Sequence, residues 1–188
     1  MAEKIFTQES FMMKHLFMSL ALLLALPNIL SAKVLISPID AMKENYSPTA
    51  SISKKNILLS SERFKKVQQA AKTKLTTKIY RIYIAKEAGK VLGYGILINK
   101  RVRSKNAVVM YLISHDKLLG IEIIAFNEPQ EFIPSKRWNA QFQNRSTKKM
   151  LHLSRDIPTI TGATLSARTV TDGSRIAFAL YNELLKGK

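Results

Sequence analysis

The sequence predicts an α+β fold: one antiparallel sheet meander packed with an N-terminal helix and a long C-terminal helix. Three observations carry this. Four strand-like runs follow one another between residues 79 and 126 with only short connections. An amphipathic helical stripe precedes them, and a longer one closes the chain. With 188 residues, 46% of them hydrophobic, the chain can bury one ordinary core but not two large ones.

Residues 1–32 read as a signal peptide or an anchor. Lys14 and His15 precede an apolar run from Leu16 to Leu26, Pro27 breaks it, and Ser31 and Ala32 supply small residues. Extended to Leu30, the run reaches only about 22 Å at ~1.5 Å per residue, short of the ~30 Å hydrocarbon core. This favours a cleaved signal and a periplasmic product. Cleavage after Ala32 would place Leu30 where a small residue is preferred, so an uncleaved inner-membrane anchor stays open. Met13-Lys14-His15 offers a natural start, which would make residues 1–12 an upstream extension.

Residues 33–60 hold Pro38, Pro48 and several Ser and Lys without clear periodicity, and are expected to form a linker or irregular lead-in. The domain proper is expected over residues 61–188. Ser60 and Ser61 offer a helix cap before Glu62, and Phe64, Val67, Ala71 and Leu75 follow at helical spacing. The strand-like runs are 79–84, 91–99, 107–113 and 120–126, rich in β-branched and aromatic residues that include Tyr80, Tyr83 and Tyr94. Gly93 and Gly95 mark a twist, a bulge or a close approach. Pro129 and Pro134 bracket a loop, and Trp138, Gln141 and Phe142 suggest one face of a short helix. After a loop over 154–163, Val170, Gly173, Ala177, Leu180, Tyr181 and Leu184 lie along one side of a helix expected from about Leu165 to Leu185.

Composition narrows the chemistry. No cysteine is present, which removes disulfides, cysteine zinc sites and iron–sulfur ligation. The three histidines, His15, His115 and His152, are scattered and predict no metal site. No Ser-His-Asp set, no carboxylate pair placed for hydrolysis and no nicotinamide-binding glycine turn is evident. The formal charge of +17 points to an acidic partner or an anionic membrane surface, or simply to a lysine-coated soluble surface. Nucleic acid is not expected, because no recognised binding motif accompanies the charge.

The segment Thr161-Gly162-Ala163-Thr164-Leu165-Ser166 is a small-residue turn feeding a helix N-terminus. Gly162 permits backbone geometry that larger residues resist. Ala163 leaves room for a bulky group. Thr164 sits where unpaired N–H groups and a positive dipole end favour a phosphate. The plainer reading is that Thr164 only caps its own helix, and the spacing alone does not decide between the two.

Thr161-Gly162-Ala163-Thr164 resembles the flavinylation motif of FMN-binding domains. Such domains occur in the flavin-carrying subunits of the sodium-translocating NADH:quinone oxidoreductase and Rnf complexes, and as free-standing periplasmic proteins. The likeness extends over roughly residues 76–186 and includes Gly93-Tyr94-Gly95, Glu128-Pro129, Trp138 with Phe142, and Leu165 through Val170. It implies that a separate flavin transferase takes FMN from FAD and joins its phosphate to Thr164. Thr161, Gly162, Ala163 and Leu165 would frame the attachment, while Glu128 and Trp138 line the ring site. Arg155 and Arg168 flank the motif and are candidates for stabilising reduced flavin, against a plainer reading as solvated surface. One departure stands out. The family places an aspartate at the position held here by Pro158, and Asp156 could replace it only if the loop bends differently.

The resemblance implies an electron carrier more than a stand-alone enzyme. It would relay electrons between membrane-linked and periplasmic redox partners, such as a membrane quinol-linked reductase or a haem protein. The alternative is a non-redox basic periplasmic subunit with an unmodified domain of the same fold.

Overall fold

The computed structural model describes residues 34–187. The expected signal or anchor at 1–32 lies outside the described residues. None of the described helices is long and apolar enough to cross a membrane.

The segment expected to be irregular is structured instead. Helix α1 spans Pro38–Asn45. Ser37 caps it by accepting from the Asp40 N–H at 3.1 Å. Pro38 occupies the first turn, where a missing N–H costs nothing. Strand β1, Ser51–Leu58, follows. The lead-in assignment for 33–60 is therefore corrected: prolines that look like breakers serve here as a helix start and a turn.

Helix α2 spans Ser61–Ala71, and the Ser60 hydroxyl accepts from the Arg63 N–H at 3.2 Å. It buries Val67 and Ala71. The stripe expected to continue to Leu75 stops earlier because Lys72 turns left-handed with φ of 47°. Arg175, far along the chain, donates to the freed carbonyls of Ala71 (2.9 Å) and Lys72. Leu75 is still buried, reached by the chain after the helix has ended.

The expected meander is present as β2 (Ile79–Glu87), β3 (Lys90–Arg101), β4 (Asn106–Ser114) and β5 (Lys117–Phe126). A 3-10 turn at Gln130–Phe132 leads to the short helix α3, Lys136–Asn139. Strand β6 is only Arg145–Ser146, and α4 runs Thr164–Leu184. The six strands lie in sequence order, every neighbour antiparallel. The fold is thus the α+β class expected, with β1 and β6 extending the meander at its edges.

Both sheet faces are covered. Tyr80, Ile82, Ile96, Val109, Tyr111 and Ile113 join residues of α2 and α4 in the larger core. The alternate residues Tyr83, Ala85, Met110 and Leu112 join Ala41 and Met42 of α1 in a smaller one. This is the period-2 pattern of a sheet buried on both sides.

Close approaches set the spacing of these layers. A Cβ on Gly93 would come within 2.6 Å of the Ile113 carbonyl oxygen and overlap the Tyr46 ring. The Tyr46 hydroxyl there lies 2.9 Å from the Tyr94 carbonyl and 3.0 Å from that of Ile113. Under α4, a Cβ on Gly173 would collide with the Tyr111 hydroxyl, which donates to the Val170 carbonyl at 2.7 Å. The Tyr111 contacts with Gly173 and Val170 hold α4 in one position on the sheet, and its position sets where its N-terminus points.

Candidate functional site at the N-terminus of α4

The first turn of α4 opens on a cavity of 240 Å³. Its walls come from three places in the chain: Val102 and Arg103 of the β3–β4 connection, Glu128 and Phe132 after β5, and the stretch Gly162 to Ser166. Gly162 has φ of +79°, a left-handed conformation that glycine adopts without strain. It turns the chain so that Ala163 precedes the helix in a non-helical conformation.

No side chain caps this helix. The first intrahelical bond runs from the Ala167 N–H to the Ala163 carbonyl, 3.1 Å, so the N–H groups of Thr164, Leu165 and Ser166 have no helical acceptor. Thr164 is the first helical residue rather than a cap. Its exposed hydroxyl donates to the Ile160 carbonyl at 3.3 Å, which leaves the oxygen lone pairs free. Self-capping of the helix by Thr164 is therefore not what the structure shows. Ser166, 1% exposed, has a hydroxyl without any hydrogen-bond partner. A buried, unpaired hydroxyl costs roughly 1–3 kcal/mol unless something meets it. Ser166 is one of the residues around the cavity, at the positive end of a 21-residue helix, where an anion is favoured.

The cavity is otherwise apolar on one side. Phe132 and Val102 are half-buried, and Leu165 is 44% exposed at the mouth. Flat hydrophobic walls beside an anion-accepting helix end suit a ligand with a planar ring and a phosphate.

Glu128 lies at the cavity, but its carboxylate is engaged. One oxygen accepts from the N–H groups of Arg103 (3.0 Å), Ser104 (2.6 Å) and Lys105 (2.7 Å), and the Ser104 hydroxyl reaches the other at 3.1 Å. These donors, the Lys105 N–H foremost, hold its pKa below the usual carboxylate range despite burial. Glu128 thus fixes the β3–β4 turn as one wall. Thr169 braces the same turn by donating to the Arg101 carbonyl at 3.1 Å.

Trp138 is not among the cavity walls. It is buried, packs edge-to-face on Phe142 at 5.2 Å, and donates from Nε1 to the Pro158 carbonyl at 2.8 Å. Its role is to hang the loop that carries the motif. Thr161 sits exposed in the turn beside the cavity.

Asp156 does not replace the missing aspartate. Its carboxylate accepts from the His152 N–H at 2.9 Å and pairs with Lys149 and Arg155, each at 3.3 Å. The His152 N–H is the main cause of its lowered pKa. The same pair removes Arg155 as a free cation. Arg168 and Arg103 remain exposed and make no ion pair among the described residues. No three His, Asp or Glu side chains among the described residues come together as a metal site.

Of the residues expected to frame the site, the fold brings Gly162, Ala163, Thr164, Leu165 and Glu128 around one cavity; the cavity adds Val102, Arg103, Phe132 and Ser166, which were not among them. The first three belong to other segments and carry no local signal. Ser166 was visible in the motif as a polar residue two positions past Thr164.

No family model matches the chain. Over 121 residues it is 31% identical to a subunit of the Na(+)-translocating ferredoxin:NAD(+) oxidoreductase complex of Acetobacterium woodii. The match covers 58% of this chain and 58% of that protein, so the chain spans less than two thirds of its relative's length. What the chain is similar to is thus a component of a redox complex.

Proposed function

We propose that this chain is an exported electron-transfer protein carrying FMN through a phosphoester on Thr164. One observation carries the reading: the uncapped α4 N-terminus opens on a cavity whose lining residues include Thr164 and Ser166, the latter with an unpartnered hydroxyl. The N–H groups of Leu165 and Ser166 and the Ser166 hydroxyl would hold the phosphate. Phe132, Val102 and Leu165 would flank the ring, and Arg103 and Arg168 would favour added negative charge near it.

A separate transferase would make the link from FAD. The Thr164 oxygen–phosphorus bond forms as the diphosphate bond of FAD breaks, AMP leaves, and the hydroxyl proton passes to solvent. Bound flavin supplies one- and two-electron exchange; the protein supplies position and electrostatics. Pro158 stands where a carboxylate is expected, so the transferase would have to work without that group. The similarity to a redox-complex subunit supports redox partners; the donor would be a membrane quinol-linked reductase and the acceptor a haem protein. The apolar run at 16–30 would direct export or tether the chain to the inner membrane. The net charge of +17 would make docking on acidic partners weaken as salt rises.

Intact-mass spectrometry of denatured protein tests this, using the chain exported in a host with a flavin transferase beside Thr164→Ala. Wild type should gain one FMN less one water, and the variant should not. An unmodified wild type beside a modified control domain from the same cells would sink the covalent reading.

A further inference from the structure

Away from the α4 N-terminus, strand β1 forms the outer edge of the sheet, and among the described residues nothing pairs with its free side. The register says which groups that side offers. The Leu59 N–H donates to the Lys78 carbonyl at 2.8 Å, making this a hydrogen-bonded antiparallel pair. Such pairs alternate along the ladder, so Ser53, Lys55 and Ile57 point their backbone groups inward. Ile52, Lys54, Asn56 and Leu58 then turn theirs outward.

The side chains of β1 add charge on both faces. Lys54 opposes Tyr83 on the α1 side, and Lys55 opposes Ile82 on the side of α2 and α4. Beside Lys55 lies a cleft of 460 Å³ floored by Ile57, Ile84 and Leu184, with Arg63 and Lys86 at its rim. No acidic residue lines it. Among the described residues the side chains of Lys54, Lys55, Arg63 and Lys86 make no ion pair. Leu58 and Ile79, paired across the strands at the end of β1, are 70% and 59% exposed.

We propose that the free edge of β1 is a docking site for an extended acidic segment of a partner protein, which adds to the sheet as a further strand. Four outward-turned residues supply main-chain donors and acceptors along the segment. Cations on both faces call for two successive acidic residues in it, one opposite Lys54 and one opposite Lys55. An apolar residue beyond them would lie against Ile57 and the cleft. Lysines on an edge strand also protect against self-association. The two effects agree: the charge that repels a second copy of this chain selects an acidic strand. A membrane surface would meet cations on one face only and leave the edge backbone unpaired. The site stands independently of the flavin reading, since it lies at the other end of α4.

The test uses the full chain and a fluorescent peptide, Val-Thr-Glu-Glu-Ile-Thr-Val, with a Lys-Lys version as control. The acidic peptide should bind at low salt and weaken as salt rises, while the control should not bind. Lys54→Glu with Lys55→Glu should weaken binding by at least about tenfold. Asn56→Pro removes an outward N–H without touching a bond of the β1–β2 ladder, and should weaken binding as much while the fold is kept. Hydrogen exchange at Ile52, Lys54, Asn56 and Leu58 in wild type should slow on adding peptide, a readout that holds even if the proline variant misfolds. Thr164→Ala should bind the peptide normally. Four results would each overturn the proposal: no binding by wild type, equal binding of the Lys-Lys peptide, unchanged exchange at those amides, or full binding by a folded Asn56→Pro. Capture of wild type and Asn56→Pro alike by phosphatidylglycerol vesicles, without peptide binding, would assign the surface to lipid instead.

Discussion

The two ends of α4 differ in what they leave undone. At the C-terminal end Leu184 and Leu185 are buried, the Tyr181 hydroxyl donates to Asp116 at 3.1 Å, and Lys186 pairs with the same carboxylate. The final turns are thereby fastened to the β4–β5 connection. At the N-terminal end no side chain caps the helix, the Ser166 hydroxyl has no partner and Leu165 is open to solvent. One helix thus meets its needs within the chain at one end and keeps donors in reserve at the other. Asn127 and Asn139 each bury an unpartnered oxygen as well, but the helix end is where free donors lie beside a cavity.

The largest expected effect is functional and lies at the open end. Thr164→Ala should abolish covalent flavin while leaving the melting temperature nearly unchanged, because the exposed hydroxyl makes one long hydrogen bond. A large loss of stability would show that this end is a structural cap after all. Next comes the middle of the helix. Gly173→Ala drives a methyl into the Tyr111 hydroxyl and should cost about 1–3 kcal/mol in urea unfolding. That change should lift the whole helix and so disturb both ends together.

Tyr181→Phe removes the hydroxyl that holds Asp116 and should cost about 0.5–1.5 kcal/mol by the same measurement, without affecting flavin loading. Ser166→Ala should change stability by less than about 0.5 kcal/mol or even raise it, since it deletes an unsatisfied group. The same variant should weaken the retention of free FMN, read by fluorescence quenching. The smallest effect is in acid. Lys186 beside Asp116, and the turn N–H groups around Glu128, hold both carboxyls below their ordinary range. Their stabilising contributions are complete above the unfolded-state values of about 4 and fade as pH drops through the lower folded-state values. Glu128→Gln should therefore flatten the fall of the urea midpoint below about pH 4. An unchanged acid profile would mean that the Glu128 turn adds nothing to stability.

The sequence showed the central meander well, because β2 to β5 bury both faces and are dense in Ile, Val, Tyr and Leu. It hid β1 because an edge strand needs no buried face: Ser-Ile-Ser-Lys-Lys-Asn-Ile-Leu has no clean alternation, and six of its eight positions are exposed. It hid α1 because Pro38 reads as a breaker until Ser37 is seen as the cap before it. The extension of α2 to Leu75 failed because Lys72 turns left-handed, and the carbonyls freed there are met by Arg175, more than a hundred residues away. At the site, the Thr161–Leu165 stretch was legible because one turn and one helix start contain it. Phe132 and Val102 were not, because only tertiary folding brings three segments together. Asp156 looked like a spare carboxylate until its own turn was seen to use it.

The bond from Trp138 to the Pro158 carbonyl bears on the order of assembly. The loop leading to Thr164 hangs from α3, whose Trp138 packs on the Phe142 ring. Both contacts are made by groups of the polypeptide itself. Under the proposed flavin attachment, a modifying enzyme would then meet a threonine presented by a folded domain, with folding ahead of loading. Exported as an unfolded thread, such a chain would have to acquire its cofactor on the far side of the membrane.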